Sequence, residues 1–284
     1  MKIEGYLIPK LTISIVLYNN PVSMLENAIK SVLNTALNVK LYLIDNSPMD
    51  ELKQLAFLDH RIAYIHNPSN PGFGAAHNIA LHKSIQEKRT YHLVLNPDVY
   101  FDRGVLEEIV EYMDTHSDTG LLMPKVLYPN GKIQYIAKLL PTPWDLFARR
   151  FVPIKSYLDK LNRIYSLTFF DYSTVVEIPF ISGCFMFIRI DTLKKIGFFD
   201  EHYFMYLEDA DLSRRIGTVA KTVLYPHVSI YHEYERGAHK NVKLLWIFIC
   251  STFTYFNTYG WFFDPYRRKI NQQTLKQFTQ GINP

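Results

Sequence analysis

The 284 residues, 48% hydrophobic and 20% charged, suffice for one large α/β domain or two small ones and exclude a disordered chain. The net charge is +4, and the 15% aromatic content suggests rings exposed at a sugar, lipid or partner surface as well as buried ones. Cys184 and Cys250 lie in apolar runs, which argues against a disulfide framework or thiolate zinc site and for a reducing, cytoplasmic compartment.

In chain order, the N-terminal twenty residues carry a short apolar run and no small-residue cleavage site, so an export signal is not expected. Thr12 to Leu17 is a β-branched apolar run without helical period and predicts a strand. Asn20 and Pro21 follow as an N-cap and first-turn pair. Leu25, Ala28, Ile29, Val32 and Leu33 then form one buried helical stripe. Strands are expected at 41–45 and 62–65, a helix at 75–88 after the loop NPSNPGFG, a strand in HLVLNPD at 92–98 and a helix at 103–116. Strands alternating with helices at this spacing imply βαβ units and a mainly parallel sheet whose crevice lies at the carboxyl ends of the strands. Tyr18, Asp45 and Asp98 sit at such ends.

The stretch from Lys138 to Arg163 holds six Lys/Arg against two acids, with three prolines, and reads as a mobile lid or surface element. IPFISGCFMFIRI at 178–190 predicts a core strand, and Asp191 is expected to cap a short helix closed by Gly197. FFDEHYFMYLEDADLSRRIG precedes two expected strands, near 222–225 and 228–231. Residues 244–263 carry no charge but include Ser, Thr, Asn and nine rings, which suit an interface better than a membrane span. From His232 onward seven Lys/Arg face three acids, so the two basic segments stand against a mildly acidic body. That layout fits either solvated helix faces or contact with an anionic surface.

Four pieces fall in one order: an Asp after the second strand, Asn-Pro-Asp after a later one, Glu-Asp-Ala-Asp opening a helix, then a His. With NPGFGAAHN, LNPDVYF, ISGCFMFIR, FMYLEDADLSRR and the C-terminal LLWIFICSTFTYFNTYGWFFDPYRRKIN, this order resembles the family 2 glycosyltransferases, especially their bacterial rhamnosyltransferase-like branch. The likeness covers roughly residues 10–270 and implies a GT-A (Rossmann-like), mostly parallel sheet flanked by helices, with a C-terminal aromatic helical extension. The expected division is a catalytic domain at 1–235, containing a basic lid or acceptor-side insertion at 138–176, and an extension at 236–284.

Sugar transfer develops negative charge on a nucleotide diphosphate, which a divalent cation or several donors must neutralise. LNPDVYF resembles the family's Asp-x-Asp motif with Asn96 in place of the first carboxylate. The resemblance makes Asp98 the anionic ligand of Mg²⁺ or Mn²⁺ and His232 the second ligand, with His227 and His239 as rivals. An acceptor hydroxyl needs a positioned carboxylate to take its proton. The resemblance assigns that to Asp209 and leaves Glu208 to orient or bind the acceptor. A single base opposite the leaving group implies inversion by in-line displacement. Tyr18, Asn19 and Asp45 resemble the positions that hold base and ribose.

In the loop from Asn70 to Gly74, Gly72 offers close backbone approach, and Asn78 projects from the next helix. Gly183 fits either approach to a sugar or a β-bulge. Asp211 and Arg215 stand at i and i+4, where an ion pair competes with a diphosphate contact from Arg215. The implied reaction moves a sugar, from dTDP-L-rhamnose or a UDP-hexose, to an oligosaccharide or polyprenyl-diphosphate-linked glycan. Arg149, Arg150, Lys155, Arg267 and Arg268 would meet anionic headgroups while Trp246, Trp261, Phe262 and Phe263 seat in the interface. No nucleic-acid partner is expected. The competing readings are a non-catalytic nucleotide-sugar-binding scaffold, supported by Asn96, and a sugar nucleotidyltransferase, against which VLYNNP offers no lysine or arginine.

Overall fold

The protein is described by a computed structural model covering residues 2–3, 6–7, 10–152, 154–233 and 242–279. The expectations for His239 and for the side chains of Arg149 and Arg150, and the boundary at 235, fall outside the described residues. A two-stranded ribbon, β1 (Lys2–Ile3) with β2 (Tyr6–Leu7), precedes the main sheet.

The first half alternates as the patterning predicts. Strand β3 (Leu11–Leu17) leads to helix α1 (Val22–Leu33), β4 (Val39–Asp45), β5 (Ile62–His66), α2 (Phe73–Gln86) and β6 (Tyr91–Leu95). All four strands are parallel neighbours in the order β5-β4-β3-β6, so their carboxyl ends share one edge. Both faces of β3 and β4 are buried, as expected of strands covered on both sides, although Thr12 and Ser14 make one face of β3 largely polar. At the start of α1 the cap is Pro21, not Asn20, because the Asn20 Oδ1 is occupied by the Tyr18 N–H at 2.7 Å.

The second half is mixed rather than parallel. It contains β7 (Val99–Tyr100), α3 (Val105–Thr115), β8 (Thr119–Leu127), α4 (Pro143–Phe151), α5 (Lys155–Tyr165), β9 (Val176–Glu177) and β10 (Phe185–Arg189). These are followed by α6 (Ile190–Ile196), α7 (Glu208–Ile216) and β11 (Lys221–His232). Only Phe185–Arg189 of the expected strand at 178–190 is strand. It runs antiparallel between β6 and β8, while β11 lies parallel to β8. The two strands expected around 222–231 are one strand whose register breaks between Tyr225 and Ser229. Pro226, which has no N–H to donate to a ladder, sits in that break. Asp191 lies inside the first turn of α6, where Arg189 is the capping residue, and Gly197 closes the helix at φ 82° as expected.

Helices α8 (Val242–Tyr259) and α9 (Pro265–Thr279) pack on the domain. Tyr255 and Phe256 of α8 are fully buried in a cluster with Leu140, Phe180, Tyr203, Leu207 and Ala210. No helix among the described residues is long and apolar enough to cross a membrane. Arg267, expected to face headgroups, is instead buried: its backbone N–H donates to Asp264 and its Nη1 to the Pro141 carbonyl. Trp261 is half-buried against Phe256, whereas Trp246, Phe262 and Phe263 are exposed.

A polar network crosses the core between β3, β6 and α2. The Ser14 hydroxyl lies 2.7 Å from His77 Nδ1 and 2.8 Å from His92 Nε2, and the Thr12 hydroxyl lies 2.8 Å from His92 Nδ1, all fully buried. Burial pushes His92 down from its ordinary 6.5 to about 3; burial and then the His92 charge hold His77 well below the ordinary range. The unfolded chain binds protons at these rings below pH 6.5 while the native state does not. Each histidine therefore lowers stability by about 1.4 kcal/mol per pH unit as pH falls through its window. Both imidazole NMR signals should stay at the neutral position down to pH 5, with the urea midpoint falling over that range; a ring titrating near its ordinary pKa would contradict the network.

Candidate active site

Strand register brings distant residues together beyond the carboxyl end of β6. Val99 of β7 pairs with His232, the last residue of β11, and the Glu233 N–H donates to the Asp98 carbonyl. The Asp98 carboxylate therefore stands beside the His232 ring, Oδ2 to Nε2 at 3.3 Å. One step along the sheet, β10 pairs with β6 so that the Asn96 N–H reaches the Cys184 carbonyl at 3.0 Å. The neighbouring Gly183 N–H donates to Asp209 Oδ2 at 2.9 Å. Asn96, Asp98, Gly183, Glu208, Asp209 and His232 all line one cleft of about 730 Å³.

Helix α7 enters this cleft by its N-terminus. Tyr206 and Leu207 turn the chain with φ 72° and 66°, a left-handed pair without glycine. That turn delivers Glu208 and Asp209 side by side, where the helix dipole favours negative charge.

The two acids differ in surroundings. Glu208 is buried and its Oε2 has no hydrogen-bond partner; burial, then the Asp209 charge, push its carboxyl well above the usual range. Asp209 is half-buried, and burial raises it too, but the Gly183 N–H, the Lys138 charge and the Ala210 N–H oppose the rise. Of the pair, Glu208 is pushed up without an opposing side-chain donor or charge, whereas Asp209 has N–H donors and a nearby cation that favour its anion.

Lys138 also lines the cleft, its Nζ 5.2 Å from the centre of the Phe180 ring. In the sequence Lys138 is one charge in a basic run, and nothing marks Gln134. Gln134 is buried, donates from Nε2 to the His232 carbonyl at 2.7 Å, and its Oε1 lies 3.0 Å from His232 Nδ1. Neither contact leaves a local signal, since each links segments far apart in the chain.

Of the residues expected at the donor, Asn96 lines that cleft, whereas Tyr18, Asn19, Asp45 and Asn70 are on the same sheet edge and are not among its lining residues. Tyr18 is half exposed after β3, and the Asn19 N–H, at φ 50°, donates to the Ser47 hydroxyl. Asn70 accepts from Asn46, which in turn accepts from Asn67. Asp45 is wholly buried, its oxygens taken by the Ser47 N–H and the Tyr64 hydroxyl, so it holds the rim of the edge rather than facing solvent.

Three expected contacts are occupied elsewhere. Asn78 is buried and ties α2 to the backbone of Phe199 and to Glu201. Arg215 pairs with Asp211 at 2.6 Å and donates to the carbonyls of Ile196 and Phe198, so the ion pair prevails over a diphosphate contact. Gly72, at φ 106°, is required because a Cβ there would lie 2.2 Å from the Phe204 carbonyl; its close approach is to protein.

His227 is exposed on β11 and is not among the residues that line the cleft. Among the described residues no group of three or more His, Cys, Asp or Glu is placed to hold a metal ion. The Asp98 and His232 pair is the partial set available. Asp98 Oδ1 is buried with no hydrogen-bond partner, and one carboxylate with one imidazole suits a divalent cation that brings other ligands with it.

The site thus combines a parallel sheet edge, an antiparallel insertion beside it and a helix presenting acids into the crevice. The chain belongs to glycosyl transferase family 2, whose model matches residues 12–197. It is 24% identical to N-acetylglucosaminyl-diphospho-decaprenol L-rhamnosyltransferase of Mycobacterium tuberculosis, over 75% of this chain and 73% of that one. It is 26% identical to rhamnosyltransferase WbbL of Escherichia coli, over 71% and 74%. The fold is similar to that of GalNAc-T7 crystallised with UDP, GalNAc and Mn²⁺, with a TM-score of 0.61 and 15% identity over 81% of this chain. The match spans 44% of GalNAc-T7, so the present chain corresponds to less than half of that protein.

Proposed function

We propose that the protein is an inverting glycosyltransferase that moves L-rhamnose from dTDP-L-rhamnose, or a hexose from a UDP donor, to a hydroxyl of a lipid-linked glycan. The observation that carries this reading is the convergence of Asp98, Asp209 and His232 on one cleft from three separate parts of the chain. Asp98 and His232 would hold Mg²⁺ or Mn²⁺, which when bound supplies positive charge against the leaving diphosphate. Asp209, fixed by the Gly183 and Ala210 N–H groups, takes the proton of the acceptor hydroxyl as that oxygen attacks the anomeric carbon. Glu208, beside Asp209 in the same cleft, orients or binds the acceptor sugar. Lys138 adds a positive charge to the same cleft.

A polyprenyl-diphosphate acceptor is supported by the name of the mycobacterial relative. It also agrees with the outer face of α8, where Val242, Trp246 and Phe253 are exposed, and with Phe262 and Phe263 in the following turn. The exposed Arg268 and Lys269 lie beside that turn, which favours a peripheral anionic membrane.

The test is a panel of nucleotide sugars with Mn²⁺ and a polyprenyl-diphosphate-linked acceptor, the product's anomeric configuration being read by NMR. Turnover with inverted configuration is expected. A retained configuration overturns the single-base mechanism, and nucleotide binding without turnover across the panel favours a scaffold.

A further inference from the structure

We infer that Gln134 is a positioning residue that fixes the tautomer of His232 and so presents its Nε2 lone pair toward Asp98. The inference rests on the reading of Asp98 and His232 as metal ligands for its consequence, but not for its geometry.

The argument begins with the amide. Gln134 lies 2.7 Å through Nε2 from the backbone carbonyl of His232. A carbonyl only accepts, so the group facing it must be the NH₂, and the amide cannot be flipped. Its oxygen therefore faces His232 Nδ1 at 3.0 Å. An amide oxygen also only accepts, so Nδ1 carries a proton. In the neutral ring that leaves Nε2 as the acceptor nitrogen, and Nε2 is the atom 3.3 Å from Asp98 Oδ2.

A lone pair pointed at a carboxylate oxygen is repulsive by itself. The arrangement becomes favourable with a cation held by both groups, or with a further proton on the ring or the carboxyl. Gln134 thus sets the ring as a ready metal donor, and an Nε2–H tautomer would block it.

The fold holds Gln134 firmly enough for this. Its N–H donates to the Val126 carbonyl at 2.8 Å, and Ile133 bridges Leu127 of β8. Strand β8 is the parallel partner of β11, so Gln134, hydrogen-bonded to β8 from beyond its end, stands beside the strand that ends in His232. Gln134 and His232 are 2% and 5% exposed, so water competes little for either contact. Outer-shell partners of metal-bound histidines typically affect metal affinity by about 10–100-fold.

The experiment uses long-range ¹H–¹⁵N NMR on histidine-labelled protein, together with Mn²⁺ affinity measured by electron paramagnetic resonance in the presence of dTDP or UDP. In the unmodified protein the His232 ring should give the Nδ1–H pattern. Gln134→Glu, whose carboxylate can still accept from Nδ1–H although it loses the donation to the His232 carbonyl, should keep the proton on Nδ1. Gln134→Met, of similar volume, should populate the Nε2–H form and weaken Mn²⁺ binding by about 10–100-fold, while the thermal transition shows that the protein still folds. An Nε2–H ring in the unmodified protein, or unchanged Mn²⁺ affinity in folded Gln134→Met, overturns the inference. An Nδ1–H ring in a protein that takes up no Mn²⁺ supports the tautomer and removes the metal reading of the cleft, so the two failures are separable.

Discussion

Replacing Asp209 by Asn is expected to lower kcat by about 10²–10⁴-fold, the range over which a positioned general base contributes. KM for the donor should change little, because the amide keeps the shape of the side chain. It also accepts from Gly183, whose N–H lies 2.9 Å from Oδ2. The pH profile adds an independent reading. Burial raises the Asp209 carboxyl and the Gly183 N–H and Lys138 charge only partly offset it, so the acid limb of kcat/KM should lie above the usual carboxylate range. Activity is lost as pH falls through that limb, since the base must be ionised to act. In Asp209→Asn the limb attributed to this group should vanish from what activity remains. A variant that keeps the full rate would transfer the role of base to another residue.

Substituting Asp264 by Ala is expected to cost roughly 3–5 kcal/mol of stability, the penalty for leaving one partner of a buried ion pair uncompensated. Arg214 of α7 grips Asp264 with two hydrogen bonds of 2.6 and 2.8 Å, and both side chains are almost wholly buried. The guanidinium also lies 3.9 Å from the ring centre of Tyr259 and 5.0 Å from that of Tyr266. Burial alone would raise the Asp264 carboxyl; the hydrogen bonds from Arg214, then from the Arg267 N–H, overcome it and hold the group below the usual range. Because the folded pKa is depressed, this contribution is present at neutral pH and lost as pH falls through it.

The consequence reaches the active site because Arg214 is on the helix that begins with Glu208 and Asp209. Thermal unfolding should drop by roughly 10 °C, at about 2–4 °C per kcal/mol for a chain of this size. The double variant Arg214→Met with Asp264→Leu should recover much of the loss, since apolar replacement of a buried pair is often neutral. A loss below about 1 kcal/mol in Asp264→Ala, the size typical of an exposed pair, would mean that the C-terminal helices do not brace α7.

The sheet edge was legible because its signals are local. Apolar runs of strand length ending in Tyr18, Asp45 and Asn-Pro-Asp place polar groups at carboxyl ends wherever the strands are parallel. Glu208 and Asp209 were legible for the same reason, as acids opening a helix. The antiparallel entry of β10 was not, because an apolar run buried on both faces looks the same in either direction.

The errors among polar residues share a cause. Asn78, Arg215 and Arg267 have the chemistry of ligand contacts, but their donors are used by backbone carbonyls and acids brought close by folding. Gln134 is the converse: an ordinary loop residue in the sequence becomes the partner of His232 because β8 and β11 are neighbours. The membrane-facing expectation divides along α8 for a similar reason. Its polar Ser251 and Thr252 turn inward with Tyr255 and Phe256, while Trp246 and Phe253 face outward, a split that hydropathy averaged over the segment conceals.

The shared cleft is tested most directly by anomalous diffraction from crystals grown with Mn²⁺ and the nucleoside diphosphate released by the active donor. A single manganese peak coordinated by the Asp98 carboxylate and His232 Nε2, with the diphosphate on the side of the metal that faces Asp209, is the result predicted. A manganese peak bound elsewhere on the sheet edge, or a diphosphate seated with Asp209 outside its cleft, would contradict the account.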